Sequence, residues 1–564
     1  MKRAVSLTII ILGLAVGVWA QTGPTTNSFR NASTAGLLAD DLDLLIGYHG
    51  FLDPASIPLV QGKRLYTSLA NIVDKNEEVF NGPFGSDNSY YLIGGSTKLS
   101  FGSVGAFYDR LGRSTPLALG AGYPGMSGHG EVDTLVFSGP RSQIRGQTKG
   151  TADANRDSVS SQILFGLGRY FGETKRMGIA FYHSDGSLEA KTWGSPASPW
   201  GNFTYSYVRT NLDSSRVEIT NTWTGTQEGG YKFTQNSIGL SGWMPYSERF
   251  NIGLQVMTGL LSSSPKEDAK YDRTQTTYGT VVTTVQNGTR KLTFNDAGLH
   301  FDGQLSGIFK WSDATNTRAD FFFGMANLKN KSGDNFDQMT RSGGVAADTS
   351  TNFGTSTYNV AYSGTKDNTT RFGFFTSTQA KLSDRVTFAM GVGVNSSNRD
   401  RKLPGTRTTT WVDRHDHTYR VDTTDYTLTI TDTRMGETDT TYKTFEFSFP
   451  VGLEFHLTDP LVFRLGADHR MVNGEMKTTD QITSWTNPVL TRWVYEGGRA
   501  TRVDTTWATG PYTSTTSKAK TKTSHTYYTY GAGWNYSEHL QLDFMGFADL
   551  QDLSLWKLSA TLKF

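Results

Sequence analysis

The chain has no cysteine, and it has no long apolar run after its first twenty residues. Without cysteine among its 564 residues, it forms no disulfide, performs no thiol chemistry and is not a lipid-modified lipoprotein. Beyond residue 20, no stretch approaches the roughly 18 consecutive apolar residues that a membrane helix needs. Glycine, with 61 residues, and aromatic residues, at 12%, are abundant instead. Helical membrane proteins and disulfide-stapled scaffolds are therefore excluded.

The first twenty residues predict a secretory signal peptide. Lys2 and Arg3 precede the apolar run VSLTIIILGLAVGV, and small residues at Val18 and Ala20 favour cleavage after Ala20. The alternative is an uncleaved anchor. Residues 21–564 then contain 52 basic and 52 acidic residues, because residues 1–20 carry two positive charges and no acid. A net charge of zero gives no reason to expect nucleic acid as a partner.

Residues 445–457, FEFSFPVGLEFHL, alternate strictly between two kinds of side chain. The odd positions are large and apolar, and the even positions are polar, small or proline. A period of two over this length predicts a strand with one apolar and one polar face. The apolar face must meet either a protein core or lipid.

Similar strands recur along the chain in pairs joined by tight turns. The predicted turns are Gly172–Lys175, Pro245–Arg249, Asp313–Asn316, Leu382–Asp384, Thr458–Pro460 and Ser537–Glu538. Between the pairs lie long stretches rich in Thr, Asp and Gly, at about 111–158, 186–230, 262–295, 330–366, 397–441 and 473–521. Short turns at one end and long loops at the other are typical of outer-membrane barrels.

The strand count follows from these pairs. Outward-running strands are predicted to start near 64, 101, 177, 250, 318, 385, 460 and 538, which gives sixteen strands, or fourteen without the first pair. We therefore predict an all-β fold, a transmembrane antiparallel β-barrel of 14–16 strands over residues 63–564 in the bacterial outer membrane. Its apolar face, including that of 445–457, would contact lipid. The long stretches are predicted to be extracellular hairpins, with Gly436-Glu437 near the tip of one; low-complexity disorder is the alternative.

Strand alternation also predicts the side chains that face the lumen. The candidates are Glu446, Glu454, His456, Arg464, Asp468, Arg470, His300 and Asp302. Glu454 should lie opposite Arg464 and form an ion pair with it. These side chains either line a permeation path and bind a polar solute, or simply fill the barrel with mutually bonded charges.

The last residues, LWKLSATLKF, alternate and end on Phe564. This pattern resembles the assembly signal of bacterial outer-membrane β-barrels. The resemblance implies that the barrel-assembly machinery recognises this strand, and membrane lipid is the other expected partner.

Residues 21–62, called the N-terminal segment here, break the alternating pattern. Ala39-Asp40-Asp41 is followed by Asp53-Pro54-Ala55-Ser56 before the first strand. This arrangement resembles the FadL-type family of outer-membrane channels, which includes toluene-type transporters and PorV-like proteins. The sequence departs from that pattern where Asp-Pro-Ala-Ser replaces Asn-Pro-Ala-Gly and where GYHGFL lengthens the spacing. The resemblance implies a hatch folded into the barrel, with Asp40, Asp41, Asp53 and Pro54 in it, and passage of small apolar solutes.

Neither a catalytic set nor a metal or cofactor site is predicted. No Ser/His or Asp/His spacing stands out, and the acidic and histidine-rich run 413–420 is interpreted as solvated surface. Three functions stay open: a hatch-bearing channel for apolar or amphipathic molecules, a general porin for polar solutes, and a surface scaffold or secretion partner that acts through its loops. The first predicts a gap or kink in the wall, with Pro450 as one place for it. The second predicts an N-terminal segment that lies outside the lumen.

Overall fold

The structure is a computed structural model, and it describes most of the barrel and part of the N-terminal segment. The described residues are 28–46, 53–70, 90–116, 128–137, 143–152, 155–191, 201–211, 216–277, 281–293, 295–330, 335–347, 350–362, 366–417, 425–496, 499–506, 514–547 and 556–564. The predicted signal peptide and its cleavage site lie outside these ranges.

The described part of the N-terminal segment contains three short helices. They are α1 (Phe29–Ser33), α2 (Asp41–Ile46) and a 3-10 helix (Pro54–Leu59). Ser28 caps α1, because its hydroxyl accepts a hydrogen bond from the backbone N–H of Asn31 at 3.0 Å. Within the described ranges, no helix combines the length and the apolar character needed to cross a membrane.

Strands make up the rest of the described chain. In chain order they are β1 (Arg64–Ala70), β2 (Tyr90–Leu99), β3 (Gly102–Pro116), β4 (Gly128–Phe137), β5 (Gln143–Ala152), β6 (Asn155–Phe171), β7 (Lys175–Lys191), β8 (Gly201–Asn211), β9 (Arg216–Ser247), β10 (Phe250–Thr277), β11 (Val281–Thr293), β12 (Asp296–Ser312), β13 (Thr315–Asn330), β14 (Asn335–Ala347), β15 (Ser350–Tyr362), β16 (Lys366–Ser383), β17 (Val386–His417), β18 (Asp425–His456), β19 (Leu461–Glu496), β20 (Arg499–Thr506), β21 (Ser514–Asn535), β22 (Leu540–Phe547) and β23 (Trp556–Lys563).

Sixteen of these strands form a closed antiparallel ring. Its order is β1, β2, β3, β6, β7, β9, β10, β12, β13, β16, β17, β18, β19, β21, β22 and β23. The ring closes where β1 pairs with β23, from Arg64 opposite Lys563 to Ala70 opposite Lys557. Closure leaves no free edge in the ring, as a sheet in lipid requires. The predicted barrel is confirmed, with the larger of the two strand counts.

The predicted strand starts also agree with the structure. The eight outward-running strands begin at Arg64, Gly102, Lys175, Phe250, Thr315, Val386, Leu461 and Leu540. The first pair, which the count of fourteen would have omitted, consists of β1 and β2 in full register. The alternating pattern therefore located all sixteen membrane strands.

The outer surface of the ring is apolar. Exposed side chains on this belt include Ile93, Phe165, Ile179, Leu240, Leu254, Leu299, Leu305, Phe321, Met325, Phe372, Met390, Phe445, Phe455, Phe463, Leu465 and Leu558. Aromatic side chains are exposed near the short turns, at Phe171, Tyr246, Trp311, Trp534, Tyr536 and Phe564. An apolar band with an aromatic girdle is the surface that a bilayer covers. The chain is a transmembrane barrel of the outer-membrane type.

Seven further strands extend the sheet beyond the ring. On one side, β4 pairs with β5, β5 with β8, and β8 with the ring strand β9. On another, β11, β14 and β15 pair one after the other and link the ring strands β10 and β17. The last of the seven, β20, pairs with the ring strand β19. The ring strands β9, β17, β18 and β19 are 32 to 36 residues long. A membrane strand needs only about 9–11 residues, so the long stretches do continue outward as paired strands.

One detail of the prediction for these stretches is wrong. Gly436-Glu437 is not near a hairpin tip, because β18 runs without a break from Asp425 to His456. Instead, the pairing of β18 with β19 shifts register between Met435 and Gly436. Glycine is favoured at β-bulges as well as at turns, so the local sequence does not distinguish a bulge from a hairpin turn.

Candidate functional site in the barrel lumen

The described part of the N-terminal segment lies against the inner face of the ring. A Cβ atom at Gly168 of β6 would overlap the Pro54 carbonyl, and one at Gly178 of β7 would lie 2.7 Å from the Ala55 nitrogen. Ala55 also donates its backbone N–H to the Ser241 hydroxyl of β9 at 2.8 Å. Inward-facing glycines thus leave the room that the 3-10 helix occupies.

An apolar cluster joins this segment to five neighbouring strands of the wall. Leu42, Leu45 and Ile46 of α2 are buried together with Ile57 and Val60. Their wall partners come from β1, β2, β3, β6 and β7, and they are Tyr66, Leu92, Phe107, Leu164, Ala180 and Tyr182. Because α2 has only six residues, burial against the wall rather than intrinsic helix stability holds it in place.

A second apolar contact lies at an interruption of the wall. Leu37 and Leu38 are buried with Ala389 of β17, and Phe375 of β16 packs against them. Between β17 and β18, residue pairing stops at Met390–Val451 and resumes at Gly393–Ser448. The intervening stretch of β18 contains Pro450, which has no N–H to donate. The pairing is therefore interrupted over two residues, and its register is the same on both sides of the interruption.

An ion pair connects α1 to β18, and it belongs to a charged network in the wall. Arg30 of α1 donates to Glu454 twice, from Nε at 2.9 Å and from Nη2 at 3.0 Å. Arg464 donates to the same carboxylate at 3.0 Å, and it also pairs with Asp543 at 2.6 Å. Glu454 and Arg464 face each other in the register of β18 and β19, as predicted. Arg30 was missed, because nothing local to it indicates a partner 424 residues away.

The Ala39-Asp40-Asp41 motif forms the start of α2. The Asp40 carboxylate accepts the backbone N–H of Leu42 at 2.8 Å, and the Asp43 carboxylate accepts that of Asp40 at 2.8 Å. This reciprocal arrangement is a capping box. Asp43 also accepts the N–H and the hydroxyl of Ser28, at 2.7 and 2.6 Å, and so ties α2 to α1. Asp41 instead pairs with Arg64 of β1 at 3.3 Å.

Burial and charge perturb the two capping carboxyls. Burial raises the pKa of Asp40 well above its usual range, and the nearby charges of Asp43 and Asp543 raise it further, against the opposing effect of Arg30. Burial likewise raises the pKa of Asp43, although its hydrogen bonds from Ser28 oppose that shift. These two carboxyls therefore bind a proton more readily when the segment is docked than when it is exposed to water.

The Asp53-Pro54 motif anchors the 3-10 helix. Asp53 accepts a hydrogen bond from the indole N–H of Trp243 at 2.7 Å and from the Ser56 hydroxyl at 2.6 Å. The guanidinium groups of Arg176 and Arg318 lie over the same indole ring, 5.6 and 5.9 Å from its centroid.

The remaining lumen candidates on β18 and β19 form a partly exposed group. Arg470 pairs with Asp468 at 2.5 Å and lies 3.7 Å from the Glu446 carboxylate. His456 lies 3.6 Å from Glu454 at the turn end of the ring. That these side chains line the lumen stays a prediction from the alternation.

His300 and Asp302 belong to a separate buried cluster. His300 Nδ1 lies 2.8 Å from the Asp302 carboxylate, and His300 Nε2 lies 2.7 Å from the Ser237 hydroxyl of β9. Arg371 of β16 donates to the other Asp302 oxygen at 2.6 Å. Ser237 was not predicted, because it lies 63 residues from His300 in the chain.

In the part of the chain with described side chains, no group of three or more His, Asp and Glu residues is arranged to hold a metal ion. The side chains of the run 413–420 lie outside that part.

Comparison with known proteins gives structural matches only. No family model matches the sequence, and neither does any curated protein. The structure is similar to that of the Ralstonia pickettii toluene transporter TbuX, with a TM-score of 0.32, 9% identity and coverage of 95% of this chain and 98% of that one. It is also similar to a deltaS2 mutant of the TodX monoaromatic hydrocarbon channel, with a TM-score of 0.32, 10% identity and coverage of 95% and 98%.

A third similar structure is a Pseudomonas aeruginosa FadL homologue, with a TM-score of 0.25, 10% identity and coverage of 96% and 99%. Such identities and TM-scores do not assign the chain to a family. Its fold is established by its own closed strand pairing.

Proposed function

We propose that this barrel carries small apolar or amphipathic molecules across the outer membrane, and that the N-terminal segment is a hatch in its lumen. The observation that carries the proposal is the apolar cluster between α2, the 3-10 helix and the wall. The segment buries these apolar side chains against the wall, and that burial stabilises the closed arrangement.

The position of the segment also argues against a general porin. That hypothesis required the segment to lie outside the lumen, whereas Arg30, Leu45 and Ile57 all contact inward-facing wall residues. Direct contact with several parts of the wall, through both ion pairs and apolar packing, is the arrangement expected of a closure element.

The interruption at Pro450 suggests a route out of the lumen. Leu37 lies 3.1 Å from the position that a Cβ atom of Gly391 would occupy, directly behind the unpaired stretch. Movement of Leu37 and Leu38 would connect the lumen with this weak point of the wall. An apolar solute would then leave sideways into lipid rather than through water.

The seven strands beyond the ring keep a second function open. A scaffold or secretion partner would act through this outer sheet, which β9, β10, β17, β18 and β19 carry. If the chain is a scaffold or secretion partner, removal of the hairpin β14–β15 would abolish partner binding. If it is a transporter, the same removal would leave solute passage intact.

Two measurements on protein in planar bilayers and liposomes test the transport proposal. Ion conductance is compared between the mature chain and a variant that lacks residues 22–62, and entry of an apolar fluorophore into liposomes is measured for both. We expect a silent mature chain, a conducting deletion variant and fluorophore entry through the mature chain. A large steady conductance of the mature chain would reject the hatch.

A further inference from the structure

Three buried side chains above the hatch contacts have the relative positions of a nucleophile, a base and its orienting acid. The Ser237 hydroxyl lies 2.7 Å from His300 Nε2, and His300 Nδ1 lies 2.8 Å from Asp302 Oδ2. Both distances fall in the range of about 2.6–3.2 Å that an activated serine requires. The three residues are 1–2% exposed, which keeps bulk water from the hydrogen bonds.

Strand alternation and the register of three neighbouring strands account for this convergence. His300 and Asp302 are two residues apart on β12, so strand alternation puts both on the inner face. Ser237 of β9 and His300 are separated by β10, where both have Gly259 as their register partner. Because Gly259 has no side chain, the imidazole reaches across it to the serine.

The surrounding hydrogen bonds select the tautomer that a general base needs. The Gln235 amide nitrogen donates to the Ser237 hydroxyl at 3.1 Å and lies 3.2 Å from His300 Nε2. With these donors on that side, Nε2 is the acceptor and the proton resides on Nδ1, where Asp302 accepts it. Arg371 donates a charge-assisted hydrogen bond to the second oxygen of Asp302 at 2.6 Å, which fixes the position of this side chain.

We propose that Ser237 is a nucleophile that acts on small carboxylic esters in the lumen, with His300 as its base and Asp302 as a positioning residue. The Ser237 oxygen attacks the ester carbonyl while its proton passes to His300 Nε2. The tetrahedral intermediate then expels the alcohol, which takes that proton. Water next attacks the acyl-serine, again giving its proton to His300, and the acid leaves as Ser237 regains its hydrogen.

The Gln235 amide is a candidate donor for the oxyanion, because it already contacts the Ser237 hydroxyl. It contacts both Ser237 and His300 in the unliganded chain, so it has to move off the hydroxyl when the carbonyl arrives. A side-chain amide in that position is a known type of oxyanion donor.

The site lies on the extracellular side of the hatch contacts. Ser241, which accepts the Ala55 N–H, is four residues nearer the turn end of β9 than Ser237. At roughly 3.3 Å per residue, this separates the two by about 13 Å along the strand. A molecule that enters from outside therefore passes the level of Ser237 before it reaches the hatch, and Gln235 has to move to expose the hydroxyl. The activity would make an apolar ester more polar before passage, and it does not depend on the transport proposal.

The first test is covalent labelling of the folded, purified protein with an alkyl fluorophosphonate, together with hydrolysis of p-nitrophenyl butyrate. We expect one label per chain, on Ser237 by mass spectrometry, and loss of both label and hydrolysis in Ser237→Ala. Asp302→Asn should lower kcat by about 100-fold or more with little change in KM. Ser263→Ala, another buried serine on the inner face, is the matched control and should behave as the wild type.

The absence of native cysteine allows a second test that does not need an ester. Ser237→Cys introduces the single thiol of the chain, and its alkylation rate with iodoacetamide is compared with that of Ser263→Cys. We expect faster alkylation at position 237, and loss of this excess when His300→Ala is added. An unlabelled wild type, or equal rates at the two positions in barrels that retain heat-modifiable migration, would reduce the cluster to a structural hydrogen-bond network.

Discussion

At the scale of single residues, Glu454 connects the N-terminal segment with the wall. One carboxylate accepts hydrogen bonds from Arg30 of the segment and from Arg464 of the neighbouring strand. If Arg30 is replaced, Glu454 still pairs with Arg464. A substitution of Arg30 therefore removes only the contact between the segment and the wall. Loss of Glu454 would in addition leave Arg464 with one partner fewer.

The variant Arg30→Ala is therefore expected to loosen the segment without harming the barrel. Charge-assisted hydrogen bonds contribute about 1.5–3 kcal/mol, which corresponds to roughly a 10- to 150-fold shift toward the undocked state. Single-channel recording should report more frequent openings. Arg385→Ala, at an exposed turn, is the control. Equal opening frequencies in the two variants would contradict a latch at Arg30.

A pH dependence follows from the Asp40 carboxyl. Its pKa is raised in the docked segment by burial and by Asp43, so docking is favoured by protonation. Docking should be strongest below the ordinary carboxyl range and should weaken as the pH rises toward the raised pKa of Asp40. Channel opening in bilayers should therefore increase from acidic to neutral pH. Asp40→Asn should remove most of this dependence, and an unchanged pH profile in that variant would assign the effect to another group.

At the scale of single elements, β17 and β18 contain a weak point that alternation alone does not reveal. The periodicity of 445–457 continues through Pro450 without a break, yet the pairing with β17 stops there. Proline interrupts a ladder because it lacks the N–H, while it leaves the alternation of neighbouring side chains unchanged.

The variant Pro450→Val is expected to close the gap. One restored ladder hydrogen bond contributes about 0.5–1.5 kcal/mol, so exchange of the backbone amides at 391–393 should slow by roughly 2- to 13-fold. If solute leaves here, entry of an apolar fluorophore should fall while the conductance of the deletion variant stays unchanged. Val451→Ile, at the adjacent outward position, is the control. Slower exchange with unaltered fluorophore entry would place the exit elsewhere.

At the scale of the whole molecule, ring closure and the apolar belt make the chain a membrane protein. Leu254 on the belt and Leu382 beside a turn are both exposed, at 58% and 65%. The two residues therefore do not differ in exposure. They differ in depth, because Leu254 lies within the apolar belt and Leu382 lies at its edge.

An arginine at each of these positions tests the belt. Leu254→Arg should lower the free energy of unfolding from lipid vesicles by about 2–4 kcal/mol, while Leu382→Arg should lower it by about 0–1 kcal/mol. Reversible urea unfolding in vesicles measures both values. Equal losses at the two positions would mean that the bilayer does not cover the ring at Leu254.

The sequence by itself determined the strand starts, the inward and outward faces, and the pairing of Glu454 with Arg464. Each of these depends on a period of two and on a short turn, which are local properties of the chain. The tertiary structure alone decided that Arg30 reaches Glu454 and that Ser237 reaches His300 across Gly259. These contacts join residues far apart in the chain, and they exist because ring closure and the inward fold of the N-terminal segment bring distant inner faces within hydrogen-bond distance.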